Sequence, residues 1–126
     1  MTAVIEHANF TVSDPGKTAN YLADIFDWEV RWSGESIYGG HTIHIGGPDS
    51  YVALYSGPNS PKTGPSTYQT VGGFNHLGVV VSDLASVEER VKSAGFTPEN
   101  HGDYEPGRRF YFHDHDGIEI EVVSYQ

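Results

Sequence analysis

The amino-acid sequence predicts an α+β protein built from two copies of one module, each reading strand, helix, strand, strand, strand. Three observations carry this. The segment Glu6-His7-Ala8-Asn9-Phe10-Thr11-Val12-Ser13-Asp14 reads against Asn75-His76-Leu77-Gly78-Val79-Val80-Val81-Ser82-Asp83, with His, Val, Ser and Asp coinciding at one offset of 69 residues (7 to 76, 14 to 83). The copies also close alike, Ala53-Leu54-Tyr55-Ser56 against Glu121-Val122-Val123-Ser124, at an offset of 68 (53 to 121). One deleted residue reconciles the offsets. Finally, 15 Gly and 7 Pro mark many turns, while Val, Ile, Tyr, Phe and Trp cluster in short runs that suit strands.

In the first copy, Val4 to Val12 reads as a strand. Ser13 or Asp14 then caps a helix opened by Pro15, whose Ala19, Leu22, Ile25 and Phe26 recur at helical spacing. Glu29 to Ser33, Thr42 to Ile45 and Tyr51 to Tyr55 complete the copy as strands. The second copy repeats the order with Asn75 to Val81, a helix carrying Leu84, Val87, Val91 and Ala94, and the strands Arg109 to His113 and Ile118 to Val123. Gly95 suits the position after that helix, and the strand that follows it has the least periodicity of the set. Residues 57–73 hold seven Gly and Pro and read as a mobile connector between modules at about 1–56 and 74–126, the whole forming one domain.

Composition narrows the function classes. Of 126 residues, 7 are Lys or Arg and 17 Asp or Glu, a net charge of −10 that repels phosphate backbones and anionic membranes, so nucleic acid is not an expected partner. With no cysteine there is no disulfide, thiolate nucleophile or Cys-bound metal, and any ion must be held by His, Asp, Glu or Tyr. No leader is expected from the Met1 to His7 start, and Leu77 to Val81 falls far short of the ~20 apolar residues of a membrane span. The expectation is a cytoplasmic protein.

Strand alternation gathers the chemistry on one face. His7, Asn9 and Thr11 point away from the side on which Ala8, Phe10 and Val12 meet the helix, and His76 repeats the placement of His7. In the last strand Ile118, Ile120 and Val122 form the helix-facing stripe, leaving Glu119 and Glu121 on the open face. Two imidazoles and a carboxylate suit a divalent ion with vacant positions, and ligand type admits Fe, Mn, Zn or Ni.

These residues resemble the vicinal oxygen chelate superfamily, also called the glyoxalase/bleomycin-resistance/dioxygenase proteins. The marks are His7 with Val12-Ser13-Asp14, the helix ending Ile25-Phe26-Asp27-Trp28-Glu29-Val30, the segment from Asn75 to Asp83, and Phe110 to Gly117 leading to Glu121. The resemblance spans the chain. It implies two βαβββ modules forming a cup-shaped, partly open mixed β-barrel with helices outside, and a divalent metal at four positions, of which His7, His76 and Glu121 match three. Ala53 falls at the fourth and cannot coordinate, which is similar to the three-ligand sites of the extradiol dioxygenase branch. The turn Asp114-His115-Asp116-Gly117-Ile118 departs from the family's usual Asp-Pro-Asp-Gly followed by Asn or His. Homodimerisation is also implied.

Glu119, His44 and Tyr111 are the candidate acid or base groups, with His44 also a replacement for the missing ligand. Arg109 is a candidate anchor for a substrate carboxylate or phosphate, set against a surface pairing with Asp103 or Glu105. Tyr51, Tyr55, Trp32 and Asn9 are candidate substrate contacts. The leading expectation is a small metal-dependent enzyme acting on a small molecule, either a lyase or isomerase or a ring-cleaving, extradiol-type dioxygenase. The alternative is a metal-free small-molecule binding or sequestration protein of the bleomycin-resistance type.

Overall fold

The computed structural model describes residues 2–58, 64–104 and 107–126, which fall into two compact units, Met1–Lys62 and Thr63–Gln126. In the first unit, β1 (His7–Thr11), α1 (Pro15–Phe26), β2 (Glu29–Glu35), β3 (His41–Gly46) and β4 (Tyr51–Ser56) follow in order. The sheet runs β1-β4-β3-β2, with β1 parallel to β4 and the other pairs antiparallel. Asp14 is the cap: its carboxylate accepts the Lys17 N–H at 3.2 Å, and Pro15, which has no N–H to lose, opens the first turn of α1. Asp27 ends the helix in a left-handed conformation (φ 59°), its N–H donating to the Ala23 carbonyl. The apolar stripe of α1 packs on β3 and β4, burying Ala19, Leu22 and Ile25 with Ile45, Val52 and Leu54.

The second unit repeats the plan with β5 (His76–Val80), α2 (Leu84–Ser93), β6 (Glu99–Tyr104), β7 (Gly107–His113) and β8 (Glu119–Ser124), in sheet order β5-β8-β7-β6. Asp83 caps α2 by accepting the Ser86 N–H at 3.1 Å, and Gly95 (φ 94°) follows the helix, as its sequence position predicts. Leu84, Val87 and Val91 of α2 are buried with Phe110, Phe112, Ile120 and Val122. The eight strands therefore form two open mixed sheets, each with one helix on one face and the other face left for chemistry.

The repeat is exact at the level of register. His7 pairs with Tyr51, Asn9 with Ala53 and Thr11 with Tyr55. Moving β1 by 69 and β4 by 68 lands these on His76 with Glu119, Gly78 with Glu121 and Val80 with Val123, the pairs that β5 and β8 form.

β1 is shorter than the sequence expectation, and β6 forms where the module order predicts a strand. β1 begins at His7, not Val4; of the exposed residues before it, Glu6 reaches the sheet, accepting the Tyr51 N–H at its carbonyl at 3.1 Å. β6, which lacks apolar alternation, exists through its pairing with β7 and carries an irregularity between Glu99 and Gly102, where Asn100 is left-handed (φ 53°). The turn before β8 forms as expected: buried Asp114 accepts the N–H groups of Asp116 and Ile118, each at 2.9 Å, and Gly117 supplies φ 79°. Within the connector, Thr67–Gln69 makes one turn of 3-10 helix, while residues 59–63, like Glu105, lie outside the described residues.

Candidate functional site

The open face of the second unit is a chain of charged contacts. In parallel strands a residue and its register partner share a face, so β5 and β8 set His76 beside Glu119 and Glu121. His76 Nδ1 lies 3.2 Å from Glu119 Oε2, and Nε2 lies 3.1 Å from Glu121 Oε1. From β7, Arg109 donates to Glu121 Oε2 at 3.0 Å, with both side chains nearly buried, and the edge of Tyr111 meets the His76 ring (centroids 5.8 Å apart). His113 stands 3.8 Å from Glu119 and bonds Glu99 at 2.6 Å. Tyr68, from the connector and 62% exposed, donates its hydroxyl to Glu119 Oε2, with the same oxygen 3.2 Å from His76 Nδ1. That bond to the carboxylate is the main cause that pushes the Tyr68 pKa up to about 12, so the phenol stays protonated.

Proton accounting on His76 follows from these partners. The Tyr68 proton goes to Glu119, so toward Nδ1 both the phenol oxygen and the carboxylate can only accept, while toward Nε2 the Glu121 carboxylate can only accept. With the one hydrogen of a neutral ring on Nδ1, the Nε2 lone pair faces a Glu121 lone pair at 3.1 Å. Two such donors attract only with a proton or a cation between them. Adjacent ligands of an octahedral ion with ~2.1 Å bonds lie about 3 Å apart, so the spacing and the donor types of His76 and Glu121 fit two positions of a divalent ion. Among the described residues no group of three His, Asp or Glu side chains is gathered for metal.

The open face of the first unit carries a row of rings in strand order. His7 on β1 stacks on Tyr51 of β4 (4.8 Å, 14°), Tyr51 on His44 of β3 (4.6 Å, 27°), and His44 meets Trp32 of β2 at 5.0 Å. Gly46 is the register partner of Tyr51, and a Cβ there would lie 2.8 Å from the Tyr51 Cβ. The Arg31 guanidinium lies 4.6 Å from the Tyr51 ring centre. His7 Nδ1 bonds Glu6 Oε1 at 2.8 Å, and the Tyr51 hydroxyl donates to the same oxygen at 3.4 Å. Burial, then the positive fields of His7 and Arg31, hold the His44 pKa below its ordinary value.

The candidates thus fall into two sets. His76, Glu119, Glu121, Arg109 and Tyr111 share the face of the second unit. Strand pairing puts His7, Asn9, Tyr51, Tyr55, His44 and Trp32 on one face of the first, although the Tyr55 hydroxyl is committed to the Ile37 carbonyl at 3.2 Å. The Tyr51 ring stacks on both His7 and His44. Ala53, at the fourth ligand position, is 2% exposed. Arg109 pairs with Glu121. Sequence reasoning missed Tyr68, whose connector has no periodicity, and Glu6, which alternation assigns to the helix side but which precedes the paired strand and reaches the ring of His7.

Residues 4–122 match the family model of the Glyoxalase/Bleomycin resistance protein/Dioxygenase superfamily. No curated protein matches the chain. Among solved structures, a glyoxylase/bleomycin resistance protein/dioxygenase domain from Frankia sp. EAN1pec is 21% identical over 100% of this chain and 93% of that one, with a TM-score of 0.82. Fosfomycin resistance protein FosX from Mesorhizobium loti is 22% identical over 98% and 92% (TM-score 0.71). FosX from Listeria monocytogenes, complexed with Mn(II) and sulfate, is 20% identical over 98% and 93% (TM-score 0.72). These likenesses establish a shared fold. With the family model covering nearly its whole length and the doubled strand register beneath it, the chain belongs to the Glyoxalase/Bleomycin resistance protein/Dioxygenase superfamily.

Proposed function

We propose that the protein is a metal-dependent enzyme acting on a small molecule, with His7, His76 and Glu121 as the ligands of one divalent ion. The supporting observation is the 3.1 Å approach of His76 Nε2 to Glu121 Oε1 on paired strands, two lone-pair donors at the spacing of neighbouring ligands. A bound ion would supply Lewis-acid stabilisation of negative charge developing on a substrate oxygen. Arg109 fixes Glu121 by its second oxygen and leaves the first for the site. His44, biased toward its neutral form, is fit to accept a proton, and Glu119, linked to Tyr68 and His113, to pass one on. Trp32, Tyr51 and Asn9 offer ring and amide contacts, and Thr42 adds a buried hydroxyl with no hydrogen-bond partner among the described residues.

Lyase or isomerase chemistry and ring-cleaving dioxygenation both fit this ligand set, and the Mn(II) in Listeria FosX, a protein of the same fold, makes Mn(II) the first ion to try. Both units are read as one domain, working as a cytoplasmic homodimer. The second reading, a metal-free binding protein, draws on Ala53 at the fourth ligand position and on the row of rings beside it. Metal content per chain, by mass spectrometry on protein purified without a histidine tag, separates the two. About one ion per chain, lost in His7→Ala and Glu121→Ala, supports the enzyme. No ion, even after anaerobic reconstitution with Fe(II), Mn(II), Ni(II) and Zn(II), overturns it in favour of the binding protein.

A further inference from the structure

Each of the two candidate ligand histidines meets, at Nδ1, a glutamate that also accepts a tyrosine hydroxyl. In the first unit the set is Tyr51, Glu6 and His7; in the second it is Tyr68, Glu119 and His76. The repeat does not explain the coincidence. Its offset of 68 carries Tyr51 onto Glu119, so one position serves as the tyrosine in the first set and as the glutamate in the second. Glu6 comes from the residue before β1, and Tyr68 from the connector. The same three groups have thus been assembled twice from unlike places. His101 and His115 approach their carboxylates, Glu88 and Asp116, through Nε2, and His113 meets Glu99 through Nδ1 with no tyrosine hydroxyl recorded on that carboxylate among the described residues.

The physical effect is on which nitrogen keeps its lone pair. At His7 Nδ1 faces the Glu6 carboxylate, and at His76 it faces Glu119 and the Tyr68 oxygen against Glu121 alone at Nε2; the nitrogen facing more acceptors carries the hydrogen, and a neutral imidazole then has its lone pair on the other nitrogen. Imidazoles that bind ions are commonly held in this way, with a carboxylate fixing tautomer and ring orientation. We propose that Glu6 with Tyr51 and Glu119 with Tyr68 are positioning pairs that hold His7 and His76 as Nδ1–H tautomers, so that both Nε2 atoms are presented as ligands. The inference rests on the metal reading above for its purpose, but the tautomer is a property of the protein without metal.

The test has two arms. In the first, long-range ¹H–¹⁵N spectra of the metal-free full chain, at alkaline pH where imidazole is neutral, give the tautomer of each ring. The expected result is Nδ1–H at His7 and His76. With both acceptors removed, in Tyr68→Phe/Glu119→Ala, Glu121 is the remaining acceptor and His76 inverts to Nε2–H; Tyr68→Phe alone keeps Glu119 and the original tautomer. An Nε2–H tautomer in the wild type, or no inversion in the double variant, overturns the proposal. In the second arm, Mn(II) affinity is read by competition. Glu119→Ala is expected to weaken binding 10–100-fold, with Glu6→Ala acting in the same direction. If Glu121→Ala abolishes Mn(II) binding while Glu119→Ala and Glu6→Ala bind as the wild type does, the positioning role fails and the metal reading stands. If the wild type binds no divalent ion, the metal reading fails, and the spectra alone still decide whether the pairs set the tautomers.

Discussion

The ion pair between Arg109 and Glu121 is the residue-scale feature with most at stake for stability, since the side chains are 14% and 13% exposed and meet at 3.0 Å. Deleting the guanidinium leaves a carboxylate largely out of water with its nearest cation gone, and severed buried pairs cost roughly 3–5 kcal/mol. Arg109→Leu is expected to fall near the low end, about 3 kcal/mol by urea unfolding, because both side chains keep some solvent exposure. Adding Glu121→Leu should recover most of that loss, and a single-variant effect under about 1 kcal/mol would place the pair among those screened by solvent. His44 makes the second prediction at this scale. The groups around it are His7 and Arg31, which oppose its protonation, Glu6, which favours it, and the Tyr51 and Trp32 rings. Its folded pKa lies below 6.5, so the unfolded chain binds the proton more readily, and its contribution is complete above that value and lost as pH falls toward the folded one. His44→Gln should therefore flatten the stability curve between about pH 7 and pH 5. An unchanged slope would remove His44 from the acid response.

At the scale of elements, the helices and the ligand-bearing strands were legible because each obeys one strong local rule. Asp14 before Pro15 announces the start of α1, and Asp14→Ala should cost about 1 kcal/mol of stability through the lost bond to the Lys17 N–H. Alternation placed His7, His76, Glu119 and Glu121 on open faces, and the 69 and 68 offsets foretold the register that joins them. β6 was legible only from the repeated module order: Glu99-Asn100-His101-Gly102-Asp103-Tyr104 has no apolar stripe, and a left-handed Asn100 interrupts its pairing. Glu6 was misplaced because alternation holds only where the ladder does, and the ladder starts at His7. Tyr68 acts from a segment whose conformation only its tertiary contacts reveal. One glycine carries the row of rings in the first unit. A Cβ on Gly46 would press on the Ser50 carbonyl and lie 2.6 Å from Tyr51 Cα, both backbone atoms that cannot swing aside. Gly46→Ala should therefore displace Tyr51 and quench any ligand-induced change in Trp32 fluorescence. Retention of the wild-type signal would show that the turn can give way.

At the scale of the whole molecule, the proposed ligands belong to both units, His7 to one and His76 with Glu121 to the other. An ion that binds the folded chain alone stabilises it by RT ln(1 + [L]/Kd), about 2.7 kcal/mol at a hundredfold excess over Kd. For a chain of this length that corresponds to a rise in Tm on the order of 10 °C. The net charge of −10 attracts any divalent cation loosely, so the same titration is run at raised ionic strength, where the diffuse contribution is screened and a coordinated ion is not. With Mn(II), the wild type should keep its rise in Tm, and His7→Ala and Glu121→Ala should each abolish it. A rise that survives in both variants is surface accumulation. Loss in Glu121→Ala with a full rise in His7→Ala would assign the ion to the second unit alone, and the three-ligand site drawn from both modules would be wrong.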